Sequence, residues 1–268
     1  MTFKGLYTFL LILNSMPLLC MDSHELPSTQ NFSYIFESDS IQDVLRFAEH
    51  GSMVVFDLDN TLVRPEKEVG SVQWFDHMLK QKVKRGLGVE DALTELLPLS
   101  FEVQNHIDLC PVENKTVDVL QELRKKEIVT VALTARSDTL VTRTKSQLQE
   151  IDIDFNAENG FSRELTLEYP RPVLLKNGII FCANNDKGSV LFSILTLIDY
   201  HPKKIIFVDD KLDHLFEVEK ACLRNAVNFI GIRYSKLDPV VAQFDPVLAE
   251  QELSLLLDKE TRGSLSSD

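Results

Sequence analysis

Positive charge is scarce in this chain: 28 Lys and Arg stand against 41 Asp and Glu, a net charge of −13. That deficit excludes general nucleic-acid binding, which depends on clustered Lys and Arg to neutralise backbone phosphates, and it disfavours docking to anionic lipid. Cysteine is also sparse, with 4 in 268 residues and no CxxC pair, so neither a zinc site nor a disulfide framework is encoded by spacing. No apolar run reaches the ~20 residues of a membrane-spanning helix. Internal repeats are missing, and the only low-complexity stretch is the polar end from Arg262 to Asp268, expected as part of a disordered tail over 259–268.

The N-terminus has a character of its own. Lys4 precedes an apolar run through Leu10, Leu11, Ile12 and Leu13 to Leu18-Leu19-Cys20, and then come polar Asp22 to Glu25. One positive charge, a short apolar stretch and then polar residues read as a signal peptide over 1–22. The expected location is therefore outside the cytoplasm, periplasmic or secreted, with no stable membrane span in the mature chain. Lipidation at Cys20 is the alternative ending for this segment, although Leu19 is large for a lipoprotein box.

The chain as a whole is 44% hydrophobic, an ordinary value for a globular protein. Four apolar runs are too short for helices and read as buried parallel strands: Met53 to Phe56, Val129 to Leu133, Ile205 to Val208 and Asn228 to Ile232. Helical patterns between them predict a doubly wound, Rossmann-like α/β sheet. The spacing from the first strand to the second exceeds one crossover. There Phe75, Met78, Leu79 and Val83, then Ala92, Leu93, Leu96 and Leu97, repeat at helical intervals around Gly86 and Gly88. They predict a small helical cap over 63–115, set into a core made of 23–62 and 116–258. Asn177-Gly178 between apolar runs predicts a β-hairpin from Lys176 to Ile180.

Three of the strands end in polar clusters: Asp57-Leu58-Asp59-Asn60-Thr61, Thr134-Ala135-Arg136 and Asp209-Asp210-Lys211-Leu212-Asp213. Ligands of open α/β sheets bind outside the strands' carboxyl ends, so these clusters should converge. Gathering Asp57, Asp59, Asp209, Asp210 and Asp213 raises their pKa values unless a cation intervenes, and an oxygen-only donor set suits Mg2+. Carboxylate and metal together point to phosphoryl transfer. Asp57 is expected as the nucleophile, Asp59 as the general acid and base, and Thr134 and Lys187 as the phosphate-binding groups, with Lys176 and Lys211 the other lysines available for that place.

Asp57-Leu58-Asp59-Asn60-Thr61 resembles the DxDxT first motif of the haloacid dehalogenase-like (HAD) superfamily. Thr134, Lys187 and the acidic Asp209-Asp210 with Asp213 match its later motifs in order, over residues 50 to 235. The resemblance implies a phospho-aspartate intermediate. It also implies Mg2+ held by Asp57, the backbone carbonyl of Asp59 and Asp209, with Asp210 or Asp213 supporting through water. The second acid fits the phosphatases of that superfamily, and a signal peptide on such a core resembles exported acid phosphatases and uncharacterised exported bacterial members. The expected activity is hydrolysis of a small phosphomonoester. A phosphotransferase and a catalytically inactive binding scaffold are the alternatives, and the oligomeric state is not encoded. Arg136 is readable as a substrate contact or an ion-paired side chain, His214 as a surface residue, and Trp74-Phe75 as substrate roof or insertion core.

Overall fold

A computed structural model describes residues 31–155 and 159–264; the expected signal peptide, Cys20 and residues 265–268 lie outside them. Ten strands and eight helices are present among the described residues. In chain order the strands are β1 (Ser33–Ser38), β2 (Ser52–Phe56), β3 (Val63–Pro65), β4 (Leu109–Pro111) and β5 (Val129–Thr134). They continue with β6 (Leu165–Leu167), β7 (Val173–Lys176), β8 (Ile179–Phe181), β9 (Lys204–Asp209) and β10 (Asn228–Tyr234). The helices are α1 (Val72–Lys84), α2 (Val89–His106), α3 (Thr116–Lys125), α4 (Val141–Glu150), α5 (Lys187–Leu197), α6 (Leu212–Arg224), α7 (Asp238–Ala242) and α8 (Pro246–Ser264).

Eight strands form one sheet in the order β1-β10-β9-β2-β5-β8-β7-β6. Every pairing from β1 to β8 is parallel, and β7 and β6 add an antiparallel edge. This is a Rossmann-like α/β fold. The four central runs are apolar on both faces because helices cover both. Val54, Phe56, Ala132, Ile206 and Val208 face a core with α3 and α4. Their neighbours Met53, Val55, Val131, Ile205 and Phe207 face Val190, Leu191 and Ile194 of α5 and Leu215 and Val218 of α6. A period-2 alternation with both sides apolar is the signature of a buried parallel strand. Cys222 belongs to the second core, and Cys110, Cys182 and Cys222 are all unpaired.

The chain runs from β2 to β5 on one side and later returns to β9 on the other. Strand order thus reverses at β2, and the crevice at its carboxyl end is where this architecture binds ligands. Residues after β2 leave the sheet through a ribbon in which β3 pairs antiparallel with β4. That ribbon carries α1 and α2. Ser71 caps α1 by accepting the Trp74 N–H at 3.1 Å, and Gly86, at φ 100°, turns the chain between the two helices. Trp74 is buried in the core. The predicted hairpin is β7–β8: Lys176 pairs with Ile179 across a two-residue turn, with Asn177 and Gly178 both at positive φ.

Two elements differ from expectation. β1 is an additional parallel edge strand, and α8 remains helical to Ser264, into the stretch expected as tail. α8 packs on the insertion, where Glu252 accepts the Val69 N–H at 3.0 Å.

Candidate active site

β2 ends at Phe56, and the next five residues turn tightly over the sheet edge. The N–H groups of Thr61, Leu62 and Val63 all donate to the Leu58 carbonyl, while Asn60 takes the left-handed region at φ 63°, which Asn tolerates better than most residues. The turn leaves Asp57 at the head of β2, its N–H held by the Val208 carbonyl at 2.9 Å. Thr61 Oγ1 accepts the Asp210 N–H at 3.1 Å and so ties this turn to the one after β9. Asp57, Asp209 and Asp210 thereby bring carboxylate oxygens within 4.8 Å of one another.

Lys187 opens α5, whose N-cap Asp186 accepts the Ser189 N–H at 2.6 Å. The Lys187 side chain is buried and donates from Nζ to Asp57 Oδ1 and Asp209 Oδ2, both at 2.7 Å. Burial opposes its charge, but Asp209 and Asp57 outweigh burial and raise its pKa. Asp209 also receives the Lys211 N–H at 2.8 Å and meets His214 Nδ1 at 3.0 Å. Burial would raise Asp209, yet Lys187 and then His214 hold it below the usual carboxylate range. The other two acids have less compensation. Burial pushes Asp57 up to about 6 against the pull of Lys187, with Asp209 and Asp59 adding to the rise. Burial, then repulsion from Asp57 and Asp209, pushes Asp210 up to about 8. Two carboxyls that resist ionisation beside a third that is charged are a set that a hard divalent cation would stabilise, so these residues fit Mg2+.

Asp59 faces elsewhere. Arg136 donates to it through Nε at 2.8 Å and Nη2 at 2.7 Å, a bidentate pair. Burial alone would raise Asp59, but Arg136 overcomes this and holds its carboxyl low. The guanidinium is buried and continues through Nη1 to Thr144 Oγ1 and Gln147 Oε1 at 3.0 and 2.9 Å. Gln147 Nε2 in turn donates to the Ile107 carbonyl at 3.0 Å, at the end of α2. Thr134 is fully buried at the head of β5, where its hydroxyl accepts the Arg136 N–H at 3.2 Å.

Of the residues expected to converge, Asp57, Asp209, Asp210 and Lys187 form one cluster, and Arg136 links Asp59 with Thr134 beside it. Asp213 does not join. It is exposed in the first turn of α6 and borders a cleft with Glu37, Arg233 and Asp238. The residue of that turn that reaches the cluster is His214, expected from its sequence neighbourhood to lie on the surface. Its signal was position, two residues beyond the start of the helix and next to a candidate acid.

Above Asp57, Asp59 and Asp210 lies a cavity of about 250 Å3, closed on the far side by α1 and α2. Phe75 lines it, whereas Trp74 does not.

A family model described as "Protein of unknown function (DUF2608)" matches residues 35–262. The chain belongs to this family. Relatives of this DUF2608 chain include a Chlamydia pneumoniae protein provisionally named an outer membrane protein, 22% identical over 218 residues, covering 76% of this chain and 82% of the relative. An uncharacterized protein of Rickettsia prowazekii is 23% identical over 235 residues, 84% of each chain. Solved structures with partial similarity include a hydrolase from Pseudomonas syringae, 11% identical with a TM-score of 0.43, over 72% of this chain and 99% of that one. A haloacid dehalogenase-like hydrolase from Streptococcus pneumoniae is 14% identical with a TM-score of 0.38, over 72% and 98%. The strand order, and not these overlaps, defines the fold. No helix among the described residues is long and apolar enough to cross a membrane.

Proposed function

We propose that this protein is an exported, Mg2+-dependent phosphomonoester hydrolase of HAD type, acting through a phospho-aspartate on Asp57. The observation that carries the reading is the position of Asp57: it follows the strand at which the sheet order reverses, borders a cavity and is bound by Lys187. Asp57, Asp209 and Asp210 would hold Mg2+, whose charge would offset that of the carboxylates and of a phosphate.

Asp57 contributes the nucleophile. One Oδ bonds to phosphorus as the bond to the ester oxygen breaks, and Lys187 keeps the carboxylate ionised and oriented. The departing oxygen takes a proton from Asp59 and leaves as the alcohol. Asp59, now ionised, takes a proton from the water that attacks the phospho-aspartate, which frees phosphate and restores Asp57. The Arg136 pair suits the second half of this cycle, where Asp59 is a base, and opposes the first, where it must hold a proton. The pair therefore has to open in the substrate complex. A binding scaffold without turnover is the second reading, favoured by that same pair.

The α1–α2 insertion excludes water from the cavity as a cap. Export is supported by the apolar N-terminal run and by the outer-membrane naming of the Chlamydia relatives. The test is phosphate release from phenyl phosphate by the full chain, with Mg2+ and with chelator. Turnover should require the metal, vanish in Asp57→Asn and fall about 100-fold or more in Asp59→Asn. Undiminished turnover in Asp57→Asn removes the nucleophile assignment.

A further inference from the structure

The walls of the cavity specify the other half of the substrate. α2 presents Leu93, Leu97 and Phe101, each four residues from the last, α1 adds Val72 and Phe75, and Leu140 closes the side. All but Leu140 are only half-buried, so apolar surface lines a half-open cavity. Apolar surface held in that way favours an apolar occupant.

Several polar groups on the same walls have their donors engaged by the protein. Ser71 Oγ donates to the Glu68 carbonyl at 2.7 Å, and Gln104 Nε2 to the Gly70 carbonyl at 2.7 Å. Arg171 donates to the carbonyls of Ala183 and Asn184 at 2.5 and 2.6 Å. Arg136 is committed to Asp59, and the Ser137 and Thr139 hydroxyls share one hydrogen bond. Ser100, Asn184, Lys211 and His214 complete the polar lining, and the apolar side chains account for most of the wall. Asp76 on the wall would repel a second phosphate. Size is sufficient for such an occupant, because a cavity of ~150 Å3 holds a benzene ring and this half-open one is about 250 Å3. That leaves room for a phosphate over Asp57 and one ring-sized apolar group.

We infer that the substrate is the phosphomonoester of a compact apolar alcohol, with its hydrocarbon part seated between α1 and α2. The inference rests on the phosphatase reading for the phosphate end alone. Cyclohexylmethyl phosphate and glucose 6-phosphate are primary alkyl esters with six-membered rings, which matches their leaving groups and sizes. Their methylene phosphonates, with CH2 in place of the ester oxygen, cannot be hydrolysed and report binding without turnover.

Calorimetry on the full chain with Mg2+ should show the cyclohexyl phosphonate binding about tenfold or more tightly than the glucose one. In Leu97→Gln, with folding checked by its melting curve, that ratio should shrink to about threefold or less. Equal affinities, a preference for the glucose compound or no binding of either overturns the inference, as does an unchanged ratio in folded Leu97→Gln. The expected preference without hydrolysis of either ester would overturn the phosphatase reading and leave the cavity's ligand class standing.

Discussion

Removing the Asp210 charge should make the metal-free protein more stable, and more so as pH rises. Asp210 sits at about 8, against 3.8 for an unperturbed aspartate, because burial and then Asp57 and Asp209 disfavour its charge. A carboxyl with a raised folded pKa binds more protons folded than unfolded. Its contribution therefore lowers stability as pH climbs through the interval from 3.8 to about 8 and levels off above it. At ~1.4 kcal/mol per pKa unit, the penalty is roughly 2 kcal/mol at pH 5 and at most about 6 kcal/mol above pH 8. The difference of about 4 kcal/mol corresponds to roughly 10 °C in melting temperature for a chain of this size. Asp210→Asn removes the titration while keeping the shape. Melting followed by circular dichroism in chelator, at pH 5 and pH 8.5, should show the parent losing about 10 °C more than the variant over that interval. Mg2+ should restore the parent at pH 8.5 and restore the variant less, since a cation offsets the same repulsion. A parent that loses no more than Asp210→Asn would refute the claim that the three carboxylates burden one another.

Other substitutions probe how the cluster is built. Lys187→Met should cost about 3–5 kcal/mol in urea unfolding, because Asp57 and Asp209 would face each other without their shared cation; wild-type stability would show that Lys187 is not holding them. In Gly188→Ala the new Cβ would fall 2.2 Å from the Glu217 carbonyl oxygen, so α5 and α6 must part. A loss of about 1–3 kcal/mol is expected, with weaker turnover as Lys187 moves with its helix, and both are read from a denaturant midpoint and a rate. Arg136→Gln should let the Asp59 pKa rise, since burial is then opposed only by the weaker pull of Lys187 and Lys211. If Asp59 is the proton donor, the alkaline limb of the pH–rate profile should move upward, and an unmoved limb would take Asp59 out of that role.

The readable parts of this protein are those fixed by local chemistry. Met53 to Phe56 and Ile205 to Val208 are apolar at every position because both sheet faces are covered, and Asn177-Gly178 supplies the two positive-φ residues its turn requires. Asp57, Asp209 and Asp210 are predictable neighbours because each directly follows or ends a strand. β1 is not legible in the same way because an edge strand is only half covered: Tyr34 is 57% exposed, and a short mixed pattern does not distinguish strand from loop. His214 stands where Asp213 was expected for a related reason. The turn into α6 sets which of two adjacent side chains faces Asp209, and one residue along a helix is a rotation of ~100°. Arg136 shows the deeper limit. Its sequence neighbourhood offers a guanidinium two residues beyond Thr134, but its partners come from separate segments: Asp59, Thr144 and Gln147 and, through Gln147, the end of α2. That arrangement makes the charge on Asp59 depend on where the insertion sits. The link from Asp59 through Arg136 and Gln147 to the end of α2 is one that neither the DxDxT turn nor the insertion could reveal alone.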